Sequence, residues 1–407
     1  MPYTSNNLND RKEISSSLAA SPQELSNSKG ILTISTIMMA NEDIAILKQN
    51  LCYGNYLKCL PVKWDSVNGR VVVKSPRQQR HVIAMLMVHL LVTSCRLYSI
   101  SLHPSNLINR SEAAFWALVY TVSFFLRFEI SVDHGAVQIM NFLMNCNNFG
   151  TDSPPIRKVY LYIRFLIYAS GITGLVVATL LGILALFAPC QPLLLSSILC
   201  RDGIFLDAKS STWIVRMLYA TAEFVMTLNI GITAIHCCIE ILLKGVATLW
   251  IDGKDFVKRH GQKLAKIGEY QKLGIFEKCL NACTRSRIFF ASALGIPAAQ
   301  IVLCYMAIKL FRSNENDEYK ASLFLWVYFM VLFFTMILFS GAAKINNLSR
   351  DWIVSCKWDF KKKYERAVHE SLAPLRLEYG NNFVERLTPL VVQEFCMRQT
   401  ISGLLVA

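Results

Sequence analysis

The chain has 407 residues, 53% of them apolar and only 17% charged, with a formal net charge of +14 and a mean hydropathy of +0.36. A soluble domain carries charge on about a quarter of its residues, so this deficit, joined to long uninterrupted apolar runs, points away from a soluble globular protein. It points to an all-α polytopic membrane protein. The 13 cysteines fall at irregular spacings that make neither a disulfide framework nor a zinc site. Cys279 and Cys283, four apart, read as neighbours on one helix face.

Residues 1–80 read as a cytoplasmic N-terminal region. "SSSLAASPQELSNSKG" is polar and Ser-rich, so residues 1–30 are expected to be disordered. The apolar stretch "ILTISTIMMA" begins at Ile31, too deep for a cleavable signal. In "WDSVNGRVVVK" the pair Asn68-Gly69 reads as a hairpin turn, with a plain loop as the alternative. Six segments then reach the roughly 20 residues that a bilayer crossing needs: 81–100, 113–131, 159–188, 213–243, 288–310 and 322–343. Crossings one to four thus occupy 81–243, and five and six occupy 288–343. The third and fourth are long enough to tilt or to continue past the bilayer, and Pro297 is expected to kink the fifth.

A seventh segment, 387–407, is interrupted by Pro389, Glu394 and Arg398. A charge at the bilayer centre costs about 2.5–3.5 kcal/mol, but Glu394 and Arg398 are four apart and can pair. That suits a helix that starts in the cytosolic mouth of a pore and enters the membrane near Cys396.

Lysine and arginine set the orientation. With the N-terminus inside, segments 1–80, 132–158, 244–287 and 344–386 carry 31 Lys+Arg, and the outside loops 101–111, 189–212 and 311–321 carry 5. Seven crossings then put the C-terminus outside. The first outside loop holds a glycosylation sequon at Asn109, "NRS". The second holds Cys190 and Cys200, a disulfide or two unpaired thiols. The net charge is this bias summed over the inside segments, and no nucleic-acid partner is implied.

Two inside segments show helical spacing. In 244–287 it runs through Phe256, His260, Leu264, Ile267, Phe276 and Leu280; in 344–386, through Trp352, Cys356, Phe360, Tyr364 and Val368. The first reads as a cytoplasmic helical hairpin, the second as a helical anchor. Contact with anionic lipid and a subunit-joining bundle are both open, and recurrence of aromatics at packing positions favours the bundle.

Seven crossings, an inside N-terminus, long cytoplasmic helices and a membrane segment running to the last residue together resemble the arthropod gustatory and odorant receptor superfamily. "LPVKWD" resembles the short motif common before the first crossing of those receptors, and "SLAPLRLEYGNNFVERLTPLVVQEFCMRQTISGLLVA" resembles their C-terminal region. The architecture matches from about Leu51 onward; the sequence-level match is confined to the last forty residues. The family signature is Thr-Tyr, five hydrophobic residues, then Gln-Phe. Against it, "TISGLLVA" from Thr400 keeps the hydrophobic run, replaces Tyr by Ile401 and has Ala407 at the Gln position. The chain ends before the Phe, which leaves truncation open: 396–407 is about 18 Å of helix against a 30 Å hydrocarbon core.

The resemblance implies a gustatory-type, ligand-gated, non-selective cation channel in the plasma membrane. It implies a homo- or hetero-tetramer of related subunits, with the seventh helix (387–407) around the pore and no cofactor. Leu404, Leu405 and Val406 are then gate candidates, with Gln399 and Thr400 as polar pore-lining residues; a simple membrane anchor is the alternative. A tastant or odorant would enter between the outer halves of crossings two to six, where Trp116, Tyr120, Trp213, Tyr219, Trp326 and Tyr328 offer aromatic walls. Interfacial belting places Trp and Tyr at these depths as well. Glu223 lies about ten residues into a crossing, where an acid is costly without a cavity or partner; it is the leading ligand-binding candidate. Arg216 lies seven residues earlier on roughly the same face, a long reach for direct pairing. A light stimulus is open too.

Rival classes fit less well. A G-protein-coupled receptor would put the most basic segments outside, and its Asp/Glu-Arg-Tyr and Asn-Pro-x-x-Tyr motifs are missing. A transporter would show repeated halves. An enzyme would need clustered acids, histidines or a nucleophile; His236 and Glu240, four apart, read as a helix contact.

Overall fold

In the computed structural model the described residues are 41–102, 107–128, 134–145, 154–191, 193–200, 211–261, 267–288, 291–312, 318–356, 363–379 and 382–406. The expected disordered segment 1–30 lies outside them. Helix α1 (Asn41–Tyr56) leads into a hairpin of β1 (Val62–Asp65) and β2 (Arg70–Val73), with Val62 opposite Val73 and Asp65 opposite Arg70. Local chemistry specifies its turn. The Asp65 carboxylate accepts Val67 N–H at 3.1 Å and Asn68 Nδ2 at 2.6 Å, and Gly69 takes φ +60°, a conformation that glycine holds without steric cost. The Asn68 bond is the main reason the Asp65 carboxyl titrates below its ordinary value.

The hairpin is fixed to helix α4 (His134–Asn145). The Asn141 side chain accepts Val71 N–H at 2.8 Å and donates to Val71 C=O at 2.9 Å. Around these elements run α2 (Pro76–Leu102), α3 (Leu107–Arg127), α5 (Pro154–Phe187) and the short α6 (Ser197–Cys200). Helix α7 (Ser211–Ala234) passes through a π-helix, Ile235–Leu243, into α8 (Lys244–Gly261). After α9 (Ile267–Cys283), two π segments, Thr284–Ile288 and Ala291–Gly295, enter α10 (Ile296–Arg312). The widened turns thus lie just ahead of Pro297, the residue at which a kink is expected from the sequence. Helices α11 (Glu318–Ser355) and α12 (Lys363–Glu370), a small hairpin β3 (Glu378–Tyr379) and β4 (Asn382–Phe383), and α13 (Thr388–Val406) complete the chain.

Among the described residues five helices are long and apolar enough to cross a membrane: Pro76–Ile100, Leu161–Phe187, Trp213–Gly261, Ala291–Arg312 and Glu318–Ser355. The remaining two expected crossings, α3 and α13, carry charges. They lie against other helices, α3 on α2, α7 and α10, and α13 on α10 and α11. Helix α5 exposes Leu161, Phe165, Ile172, Leu175 and Leu180 along its length, an apolar surface that water does not favour. Gly174 of α5 and Gly231 of α7 face each other closely, a Cβ on either lying 4.0 or 3.9 Å from the other's Cα. Small residues allow this approach where burial from water supplies no driving force. The fold is thus a helical, multi-pass membrane architecture.

At 38 residues α11 is about 57 Å long, well over a hydrocarbon thickness of about 30 Å, so it continues beyond the bilayer at its basic end. There the aromatics expected to pack do so within the chain. Trp352 stacks on Tyr270 at 4.7 Å and meets Phe256 edge-on at 4.9 Å and His260 at 5.2 Å. Tyr364 is exposed, and Leu264 and Phe360 lie outside the described residues. Cys279 and Cys283 share a face of α9, Cys283 buried and Cys279 near Gln138.

A strap, residues 373–378, connects this aromatic cluster to α13 and is sewn down by side chains. Tyr270 OH donates to Ala373 C=O (2.8 Å), and Leu375 N–H donates to Ser349 Oγ (3.0 Å). Arg376 N–H donates to Glu277 Oε1 (2.9 Å), while Asn281 bonds both Arg376 C=O (2.8 Å) and Glu378 N–H (3.0 Å). The entry to α13 is therefore held by α9 and α11.

Candidate functional site

Two polar clusters stand inside the apolar bundle. The first lies at the end opposite the basic one. Arg96 of α2 and Glu223 of α7 form a buried ion pair. Arg96 also donates to Leu193 C=O and, at 3.2 Å, to Tyr120 OH, and its guanidinium lies 4.1 Å from the Tyr120 ring centroid. The second Glu223 oxygen accepts Leu195 N–H at 2.7 Å. Both charges thus hold the loop between α5 and α6, whose Leu194 and Ser196 are buried, as is Ser197 at the start of α6. Ser99 and Ser197 share a hydrogen bond at 2.8 Å, and Cys190 is in a disulfide. In low dielectric such a pair is stable only when its hydrogen-bonding capacity is filled, and here loop backbone and Tyr120 help to fill it.

The sequence-derived ligand residues divide around this clasp. Glu223 and Tyr120 belong to it. Trp116 packs beside it, against the clusters of Leu181 and Ala220 and of Val92 and Met226. Tyr219 is half-buried, while Trp213 is 52% exposed at the start of α7. Trp326 of α11 donates its indole N–H to Thr173 of α5 at 3.1 Å, and Tyr328 is half-buried against Phe329. Phe115 and Phe324, 5.8 Å apart, join α3 to α11. Asn109 falls in the first turn of α3. Arg96, rather than Arg216, is the partner of Glu223. It is a lone cation deep in an apolar helix, and that sequence signal points to a buried acid.

The second cluster seats α13. Gln300 of α10 is fully buried; it donates to Thr335 Oγ1 of α11 at 3.2 Å and accepts from Gln393 Nε2 at 3.3 Å and Cys396 Sγ at 3.3 Å. Thr400 turns the same way. It is 3% exposed and donates to Cys396 C=O at 2.9 Å, so its hydroxyl is spent on its own helix and not presented on the outer face. Gly403 follows on this seated face, near Tyr305. On the opposite face Glu394, Arg398, Ile401 and Leu405 form one stripe, four, three and four residues apart, as helical geometry requires. Glu394 and Arg398 are paired and exposed, and Ile401 and Leu405 are 51% and 82% exposed. Gln399 is exposed and Leu404 half-buried; Val406 ends the helix.

At the basic end His236 and Glu240 are in contact at 3.2 Å, and Asn50 of α1 donates to the same Glu240 oxygen at 3.2 Å. Among the described residues no group of three His, Cys, Asp or Glu could hold a metal ion.

The fold is similar to that of a solved receptor. The insect olfactory receptor OR5 from Machilis hrabei, in complex with eugenol, matches with a TM-score of 0.57 and 13% sequence identity, over 90% of this chain and 100% of that chain. A second structure of that receptor matches with a TM-score of 0.55 and 13% identity, over 89% and 98%. No family model matches the sequence, and no curated protein matches it. The chain has the fold of an insect olfactory receptor, and the resemblance read from its sequence holds at the level of the fold.

Proposed function

We propose that the chain is a divergent chemosensory receptor of the arthropod gustatory and odorant receptor superfamily, a ligand-gated cation channel of the plasma membrane. The observation that carries this reading is the whole-length fold likeness to an olfactory receptor, one structure of which holds eugenol. In this reading α2, α3, α5, α7, α10, α11 and α13 are the seven crossings, with basic ends in the cytosol. Four subunits surround a pore with their α13 helices. The stripe of Glu394, Arg398, Ile401 and Leu405 faces that pore: the ion pair lies at the cytosolic mouth, and the apolar pair gates by excluding water. Leu404 and Gln399 flank the stripe, and Thr400 braces the helix from behind. A small, partly apolar ligand of the tastant or odorant class binds among Trp116, Tyr120, Tyr219, Trp326 and Tyr328. Glu223 serves by holding the loop that closes that side.

The test joins topology to current. Epitope tags are placed before Met1 and after Ala407 in cultured cells, which are then recorded with a panel of sugars, bitter compounds and aromatic odorants including eugenol. The expected result is N-terminal staining only after permeabilising, C-terminal staining of intact cells, and a ligand-evoked current reversing near zero. N-terminal staining of intact cells would overturn the reading in favour of a G-protein-coupled receptor.

A further inference from the structure

At the basic end a cavity of about 500 Å³ opens between the C-terminal half of α11 and the chain that leads into α13. Helix α11 supplies Asn346, Asn347 and Arg350; the other wall supplies Arg376, Glu385 and Arg386. Three guanidiniums therefore share one cavity with a single carboxylate. None of the three is in an ion pair among the described residues. Gathering like charges without counter-charge is unfavourable unless an anion relieves it. Other basic residues here are neutralised: Arg259 pairs with Asp255 and Glu269, and Arg398 with Glu394.

The cavity is also preorganised. The Arg376 guanidinium lies 4.7 Å from the Phe383 ring centroid, and its backbone N–H is fixed to Glu277. The guanidinium is thus steadied by the ring and by its anchored backbone without itself being paired to a carboxylate. Arginine forks match phosphate oxygens in pairs, and two neighbouring amides supply further neutral donors. The volume suits a small ligand with more than one anionic group.

We propose that this cavity binds an anion bearing several phosphates, of the inositol polyphosphate class. Arg350, Arg376 and Arg386 hold the phosphates, and Asn346 and Asn347 bond to the phosphate oxygens. Arg350 lies six residues beyond Lys344, about 9 Å along the helix, so the headgroup of a polyphosphorylated inositol lipid and a soluble inositol polyphosphate both reach it. One wall is α11 and the other is continuous with α13, so a bound anion ties the entry of α13 to α11. The site stands on its own geometry and does not require the channel reading.

The test uses the purified full chain in detergent with two probes, a fluorescent short-chain phosphatidylinositol bisphosphate and soluble inositol hexakisphosphate, read by anisotropy and competition. Saturable binding is expected, weakened about tenfold in Arg350→Gln and in Arg386→Gln, lost in the double variant and strengthened in Glu385→Gln. Residues 350, 385 and 386 are exposed, so the variants keep the parent's thermal profile, which is measured alongside. Tighter binding of the lipid than of the soluble anion assigns the site to a membrane headgroup; equal or tighter binding of the soluble anion assigns it to a cytosolic one. Binding of neither probe, or binding unchanged in the double variant, overturns the proposal.

Discussion

Removing the Glu223 charge is the sharpest perturbation of the bundle. Glu223→Gln keeps an acceptor for Leu195 N–H but leaves Arg96, 4% exposed, as an uncompensated cation inside the helices. Breaking one side of a buried pair costs about 3–5 kcal/mol, much of it the penalty on the orphaned charge. Unfolding entropy of about 2.1 cal/mol/K per residue comes to about 0.85 kcal/mol/K over 407 residues. The expected fall in Tm is therefore about 4–6 °C, and more if only part of the chain unfolds. Arg96→Met loses the same pairing from the other side and should fall comparably. The double variant removes both charges, so its loss should be well below the sum, with a coupling of about 2 kcal/mol or more. The assay is thermal unfolding of detergent-purified protein, with all four members of the cycle measured together. Single variants within a degree of the parent, or a double variant equal to the sum, would refute the clasp.

Three other outcomes follow from the geometry. Gln300→Leu removes the hub that seats α13. Interhelical hydrogen bonds in membranes average about 0.6 kcal/mol, at most about 1.7, so amide exchange in α13 should rise about 3- to 20-fold; unchanged exchange would show that the hub is idle. Gly295→Ala places a Cβ 2.8 Å from Val122 Cγ2 and should cost about 1–3 kcal/mol, recovered by Val122→Ala; a loss unaffected by the second change would mean that the two do not collide. Burial raises the Glu277 carboxyl above its ordinary 4.5, against the opposing effects of Arg376 N–H and Asn281. Folding thus retains a proton that the unfolded chain releases, and stability falls as pH rises from 4.5 through the folded value. Both of its hydrogen bonds use Oε1, so Glu277→Gln keeps them and should flatten that slope; an unaltered pH profile of Tm would contradict the assignment.

What the sequence made legible was local. The Asn68-Gly69 turn was readable because its bonds close within five residues. Phe256 and Trp352 announced their packing through helical spacing. Glu223 announced its cost, but its partner lies 127 residues away, beyond what periodicity along one helix can pair. Arg216, on the same helix and nearly the same face, was the cation that spacing brought up, at a reach too long for direct pairing. The seated face of α13 was hidden for a related reason: its apolar run shows no amphipathic stripe, and only the bonds of Gln393 and Cys396 to Gln300 of α10 put that face, Thr400 included, inward. The disulfide state of Cys190 was equally hidden, since pairing depends on distances that sequence spacing does not give.

The most direct test of the pore requires no ligand. Ile401→Ser with Leu405→Ser places hydroxyls where the gate is held to exclude water, so cells bearing this variant at the surface should leak cations at rest while the parent stays silent. A variant that reaches the surface at parental levels and passes no resting current would contradict a pore lined by this face of α13.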